Sequence, residues 1–563
     1  MRYLLLPVLL LTLVLQGQVT CAQNNTGSAL KHILNSLTLR ADSQAIEKIY
    51  LHTDKIAYAA GDTIWFKAYL FNAAYFTAPK KSGIAYIEIA NEKNVVVKRM
   101  MVPLYFGLGW GNISLNEKEF SQGGYYLRAY TNWMRNFDEH YIFKKQLYIS
   151  SPGRQDVLIT SNFSITKELE KQKAHITLRL NKVDQQLVLL NDFQLKVTEA
   201  DKVWYKDKVQ TNLSGLMDFN FDVPEKADRN KLNITLQTLS KNQEGPAYIV
   251  PLIFNRPENI DLQFMPEGGY MLPGINAHIA FKALNEDGKG TNVSGAIYDS
   301  KQQQVASFQS AHLGIGSFNL QPQAGESYTA KIKLADGTYS KAYPLPVVKA
   351  SGFALKVANK LESDSLEVTI TPAAGDQAGN AVYYLVGQSR NVACYGATLL
   401  MKGRAETVKV SKTVFPTGVA RFTLLNAAQQ PLNERIVYID HGDGLHINIT
   451  NDKKYYSKRD SVALDLMVTD KAGNPMQGSF SIAVTDDAQV KSDSLKINSL
   501  KSDLLLTSDI KGNIEDPGYY FPPVITARQW QDLDNLLLAQ GWVNYDWPSV
   551  LQGYAWGPAD KVC

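Results

Sequence analysis

Cysteine is almost missing from this chain: three residues in 563, at positions 21, 394 and 563. Exported proteins short of core usually staple themselves with disulfides, and two distant cysteines beyond the N-terminal stretch make no such framework. Stability must therefore come from burial. An excess of charge of one sign is also lacking. The 58 basic and 54 acidic residues leave +4, too little to argue for nucleic acid or an acidic membrane surface. Beyond the first residues no apolar run reaches the roughly 18 residues of a membrane-spanning helix. Gly-x-Ser-x-Gly, His-Glu-x-x-His and a phosphate loop are absent from the sequence, which removes the commonest local signatures of hydrolase, zinc and nucleotide sites.

What is present is globular material, 45% hydrophobic and 20% charged, in a chain too long for one core. Tyrosine outnumbers phenylalanine, 29 to 21, which suits strands that pack a ring on one face and hold its hydroxyl in water. Residues 1–22 read as an export signal: Arg2, then an apolar run from Leu4 to Leu15, then Thr20-Cys21-Ala22 before a cut at Gln23. Lipidation at Cys21 is the rival, and Thr20 and Gln18 are poor neighbours for it. The expected mature chain starts at Gln23 without lipid.

Residues 23–45 form a leader with one short helix, on which Leu30, Ile33, Leu34 and Leu37 recur at helical spacing. From Glu47 the texture becomes short β-rich runs between Gly, Asn, Asp and Pro clusters. Lys48–His52, Ala85–Ile89 and Tyr125–Tyr130 are examples. Turns are expected at 285–288, 334–337 and 470–475. Without amphipathic helices between the strands, the pattern predicts all-β antiparallel sandwiches. A late helix is expected over Ala527 to Gln540, capped by Thr526 and carrying Leu533, Leu536 and Leu537 on one face. Thr53-Asp54-Lys55 through Tyr58 to Gly61-Asp62-Thr63-Ile64 aligns without a gap on Asn451-Asp452-Lys453 through Tyr456 to Arg459-Asp460-Ser461-Val462. This repeat, with a weaker copy from Pro266 to Phe281, predicts a strand, tight turn and second strand once per domain. The expected sandwiches occupy 46–151, 152–256, 257–348, 349–445 and 446–500, followed by a partly helical tail over 501–563.

The stretch from Lys48 to Ile64, with Gly123-Gly124-Tyr125-Tyr126-Leu127-Arg128-Ala129-Tyr130 closing the same domain, resembles the second macroglobulin-like domain of alpha-2-macroglobulins. Four further motifs resemble bacterial macroglobulin-related envelope proteins. They are Phe264-Met265-Pro266-Glu267-Gly268-Gly269, His312 to Phe318, Phe415 to Ala420 with Pro431-Leu432-Asn433-Glu434-Arg435, and Leu538 to Trp547. The resemblance implies tandem macroglobulin-like (immunoglobulin- or fibronectin-like) sandwiches of a Gram-negative envelope. It also implies similarity to the front part of TonB-linked outer-membrane receptors, where such domains precede a plug. The family's Cys-Gly-Glu-Gln thioester has no counterpart, because Tyr395-Gly396-Ala397 follow Cys394 and nothing follows Cys563. The endopeptidase-inhibitor label attached to the family transfers only as a name.

His441-Gly442-Asp443-Gly444-Leu445-His446 offers two histidines and one carboxylate without a fourth ligand, and reads as an interdomain turn. Gly107-Leu108-Gly109-Trp110-Gly111 has no helix or lysine after it to hold phosphate, and reads as a tight hairpin or bulge. Asp62 and Asp460 read as backbone caps of the repeated turn, and Cys394 as a small core residue. No catalytic, cofactor-binding or metal-ligating residue is assigned. The leading function is an exported, non-enzymatic binding or scaffold protein with protein or glycan partners in the periplasm, outer membrane or cell surface. The alternatives are the N-terminal part of a TonB-dependent uptake receptor and a glycan-active enzyme, which would need two carboxylates facing one cleft. The large aromatics of the tail further predict that the chain is the front portion of a longer architecture, or a remnant of one.

Overall fold

The computed structural model describes residues 27–541 and Trp547, apart from 122, 138, 151–156, 169–170, 183–185, 200–201, 225, 228–231, 240–243, 253–258, 335–336, 376–380 and 486–496. The expected export signal with Cys21, and Cys563, Trp542, Tyr545 and Trp556, lie outside the described residues.

Leu30, Ile33, Leu37 and Ala41 repeat every three or four residues along helix α1 (Ser28–Gln44), and all four are buried. The chain then enters β1 (Glu47–Thr53), β2 (Ala57–Ala59), β3 (Thr63–Asn72), β4 (Ile84–Asn91), β5 (Val96–Pro103), β6 (Leu108–Ser114), β7 (Gly123–Tyr130) and β8 (Phe143–Ser150). These make two sheets, β1-β3-β6 and β2-β8-β7-β4-β5. Period-two alternation turns Ile49, Leu51, Ile64, Phe66, Ala68 and Leu70 of the smaller sheet toward Ala85, Ile87, Ile89 and Leu127 of the larger, and all are buried in one cluster.

Three more sandwiches follow over 157–252, 260–348 and 353–439. Each pairs a three-stranded sheet with a four-stranded one and encloses its own core. Apart from the short parallel β2–β8 pairing, the strand ladders are antiparallel. The fold is thus all-β, tandem antiparallel sandwiches with a short helical C-terminal region.

Of the fifth sandwich expected over 446–500, the described residues show a two-stranded hairpin, His446–Asn451 with Leu464–Thr469. Its apolar residues stay largely exposed. Alternation in the sequence marks an apolar face, but it says nothing about what covers that face.

The tail does not trail away. Residues 498–541 carry α2 (Leu500–Leu505) and α3 (Ala527–Gln540). The Thr526 side chain accepts from the Gln529 backbone, completing a capping box at the start of α3. Leu533, Leu536 and Leu537 pack with Leu506, Ile510 and Trp530 against Ala280 and Ile315 of the third sandwich and Val419, Ile436 and Tyr438 of the fourth. The same tail reaches the first sandwich, where Lys48 Nζ donates to Leu504 O at 3.0 Å and Tyr50 Oη to Asn498 O at 3.0 Å. Helix α1 lies on the fourth sandwich with Tyr384, Val386 and Leu425, and Arg390 there sits 3.7 Å above the Phe76 ring of the first. Helix α1 and residues 498–541 therefore both tie the first sandwich to the fourth. No described helix is long and apolar enough to cross a membrane.

Candidate functional site

The motifs that are scattered along the sequence converge where the third sandwich, the fourth sandwich and α3 meet. Gly268, at φ 72°, turns the chain sharply after Pro266-Glu267. A Cβ there would stand 2.6 Å from Leu355 O, so only glycine permits this approach. Asn433 holds the turn by donating to Gly268 O at 2.7 Å and Phe353 O at 2.8 Å.

Beside it lies Arg435, whose Nε donates to Glu267 Oε1 at 2.8 Å. Its Nη2 donates to both carboxylate oxygens of Asp534 on α3, each at 2.8 Å, and Nη1 donates to Ile436 O. The guanidinium is 3% exposed and Glu267 5%, whereas Asp534 keeps 23% toward water, so this fork is a largely buried ion triad. Burial pushes the Glu267 carboxyl up, but Arg435, His278 and the Val357 amide outweigh it and hold it at about 2. A carboxylate fixed so far below neutrality exchanges no proton near pH 7. The group's physical role is to lock two domains and a helix.

The remaining motifs complete the same junction. Ser317 donates to Asn535 Oδ1 at 2.8 Å, and His312 stacks on Tyr519 at 3.8 Å. The Val419 side chain joins the tail cluster. Trp547 is buried with α1 and donates to Glu434 Oε1 at 3.1 Å. A cavity of about 190 Å³ between Glu267, Asn433, Arg435, Leu537 and Trp547 is what the packing leaves open.

A wider cleft of about 1180 Å³ opens between β1, the β8 edge and the tail, lined by His52, Asp54, Lys145, Thr485, Ile497 and Asp503. Burial lowers the Lys145 ammonium to about 8 despite Asp54 nearby, and its Nζ donates to Thr53 Oγ1 at 2.6 Å. Burial raises the Asp503 carboxyl to about 6, against hydrogen bonds from Asn498 and Thr507 and the pull of Lys48. His52 Nδ1 lies 2.6 Å from Ser481 Oγ, which also accepts from Tyr69 Oη at 2.7 Å. This cleft is bounded on one side by Thr485 and Ile497, the two ends of a segment outside the described residues.

The outer face of β3 and β6 offers a different surface. Trp65 pairs with Asn112 and Lys67 with Trp110, so both indoles stand on one side of the sheet. With Tyr105 and Phe106 they are 58–90% exposed. The hairpin carrying them is set by Gly107 at φ 84°, where a Cβ would fall 2.2 Å from Leu70 O. Tyr105 bridges Leu108, so the tight turn is Tyr105-Phe106-Gly107-Leu108, and Leu108-Gly109-Trp110-Gly111 already run in β6. Neither the exposed aromatics nor the Arg435 triad was singled out from sequence. Pro431-Leu432-Asn433-Glu434-Arg435 stands out as a motif, but the partners of Arg435 lie 168 and 99 residues away.

The other residues weighed from sequence are placed as follows. His441 Nε2 lies 2.8 Å from Phe415 O, Asp443 accepts from Thr417 Oγ1 at 2.7 Å, and His446 is exposed at the start of the hairpin. They are not gathered on one point, and no His/Cys/Asp/Glu group of metal-holding geometry exists among the described residues. Cys394 is buried in the fourth core. Asp62 and Asp460 accept from the amides of Ala59 and Ser457 at 3.1 and 2.8 Å.

No family model matches this chain, and no curated protein does. Among solved structures it is similar to Escherichia coli alpha-2-macroglobulin in its native conformation, at 11% identity and TM-score 0.31, over 76% of this chain and 32% of that one. The trypsin-activated form of the E. coli protein gives 11% identity and TM-score 0.35 over 76% and 33%. Salmonella alpha-2-macroglobulin reacted with methylamine gives 10% identity and TM-score 0.30 over 76% and 32%. The chain thus spans about a third of the length of the bacterial macroglobulins it matches.

Proposed function

We propose that this chain is a non-enzymatic, macroglobulin-like binding scaffold of a bacterial envelope, acting without a thioester. The observation that carries the reading is the aromatic platform of Trp65, Trp110, Tyr105 and Phe106 on the first sandwich. Large amphipathic rings are costly to leave in water, and on a rigid sheet they recognise a protein or glycan face with little loss of conformational freedom. The Arg435 junction supports the scaffold half of the reading, because it spends the motif residues on holding domains together.

Export rests on Arg2, the Leu4–Leu15 run and Thr20-Cys21-Ala22. A place beside a TonB-linked plug rests on the motif resemblance alone. The test is binding of the purified chain to peptidoglycan, to capsular polysaccharide and to detergent-solubilised envelope proteins. Saturable binding that Trp65→Ala with Trp110→Ala abolishes, while melting is unchanged, is the expected result. Release of new reducing ends from a glycan, lost on replacing one carboxylate, would overturn the non-enzymatic reading.

A further inference from the structure

The hairpin at 446–469 is half of a sandwich, and the first domain shows which half. Asp54 N donates to Trp65 O at 3.0 Å and Asp452 N to Ala463 O at 3.2 Å. Tyr58 Oη donates to Asp54 Oδ1 at 2.7 Å and Tyr456 Oη to Asp452 Oδ1 at 2.6 Å. The same carboxylate oxygens take the amides of Trp65 and Ala463 at 3.0 and 3.1 Å. The strand register repeats as well. Ile49 faces Leu70 and Leu51 faces Ala68, as Ile447 faces Val468 and Ile449 faces Leu466.

Only the surroundings differ. Ile49, Leu51, Phe66 and Ala68 are at most 5% exposed beneath the larger sheet, whereas Ile447, Ile449, Leu464 and Leu466 are 41–57% exposed. Phe480, Ile482 and Val484 extend this exposed alternation along the following segment. A lone two-stranded hairpin is marginal in water, and an uncovered apolar face of this kind marks an interface.

We propose that this face docks against the same face of a second copy of the chain, making a two-layer sandwich across a two-fold axis. The face suits itself. Its side chains, Ile447, Ile449, Asn451, Leu464, Leu466 and Val468, include no charge, so two copies meet without repulsion. Its two ends are opposite in sign. Lys453, Lys454, Lys458 and Arg459 lie at the corner end, where Asp452 and Asp460 are engaged with backbone amides. Asp440, Asp443 and Asp470 lie at the other end, with Lys471 and Lys501 as the cations beside them. Antiparallel stacking on a two-fold axis lays the basic end of each copy over the acidic end of the other. Two such faces with their 480–484 edges bury on the order of 1,000 Å², the threshold of a specific, reversible interface.

Sedimentation equilibrium of the full chain from about 1 to 200 µM tests this, since a dimer of that size depends on concentration. The expected result is a monomer–dimer equilibrium that weakens in high salt and disappears in the Ile449→Lys, Leu466→Lys double variant. Both positions are already exposed, so the variant should melt as the parent does. A second reading guards against indirect effects: Ile449→Cys should form an intermolecular disulfide on mild oxidation. A wild-type chain that stays monomeric throughout, or a lysine variant that dimerises equally, overturns the proposal. Its failure leaves the aromatic platform of the first sandwich untouched.

Discussion

The corner at Asp54 and the corner at Asp452 are built from the same hydrogen bonds in the same register, yet one is sealed and the other is open. Tyr58 is 2% exposed beneath its sandwich and pairs through β2 with β8. Tyr456 makes the matching bond to Asp452 in contact with water. Local sequence therefore suffices to form the turn, and the second sheet adds nothing to its geometry. What the sheet adds is energy. Full burial of a large side chain contributes about 2–3 kcal/mol, and the hairpin does without it.

Substitution at the two tyrosines should separate the corners most sharply. Tyr58→Ala empties a buried site and should cost about 3–5 kcal/mol, read as a lower denaturation midpoint. Tyr456→Ala should leave the main unfolding transition where it is. Equal losses at both would show that the hairpin is enclosed in solution.

Acid provides the next contrast, since the Arg435 junction titrates and the hairpin face carries no titrating group. Glu267 sits at about 2 in the folded chain against an ordinary 4.5. Its contribution is complete above about pH 4.5 and is lost as the pH falls toward 2, about 3 kcal/mol in all. Asp503 has the opposite sign. Its carboxyl is raised to about 6 from 3.8, so it favours the fold in acid and that help is lost as the pH rises from about 4 through 6. Asp503→Asn should flatten the stability profile between pH 4 and 6 and leave the steep loss below pH 4. Thermal melts across pH 2–8 would show both limbs. A profile of Asp503→Asn that still declines from pH 4 to 6 contradicts the assignment.

The smallest effect concerns the strap between the two corners. Ser481 links the segment after the hairpin to His52 and Tyr69 of the first sandwich. Ser481→Ala should cost about 1 kcal/mol, with faster amide hydrogen exchange over 479–485 and no change in the first core. Unchanged exchange would show that the strap does not depend on this serine.

These contrasts also mark how far the sequence could be read. Helix α3 was legible to its cap because Thr526, Gln529 and the leucine spacing are local signals. The alternating strands were legible for the same reason, and so was the all-β class. The repeat of Asp54 and Tyr58 at Asp452 and Tyr456 correctly announced a shared turn. It also suggested a fifth closed sandwich, because an apolar stripe looks the same whether or not it is covered. The Arg435 triad was out of reach. Its members come from three distant segments, and no period or spacing in a sequence encodes such a meeting. The exposed indoles escaped too, since Trp65 and Trp110 sit in strands whose alternation gives no sign that this part of the outer face is left open.

Lys48 of the first sandwich binds Asp509 at 2.6 Å across a separation of 461 residues. A chain made from its N-terminus delivers β1 hundreds of residues before its lid. Throughout that interval the stripe of α1 and the outer face of β1 have no cover, and closing so long a loop is entropically expensive. The first domain must therefore wait, folded inside but unfinished outside, and this interval is when the chain is most exposed to misassembly and most in need of a holding chaperone.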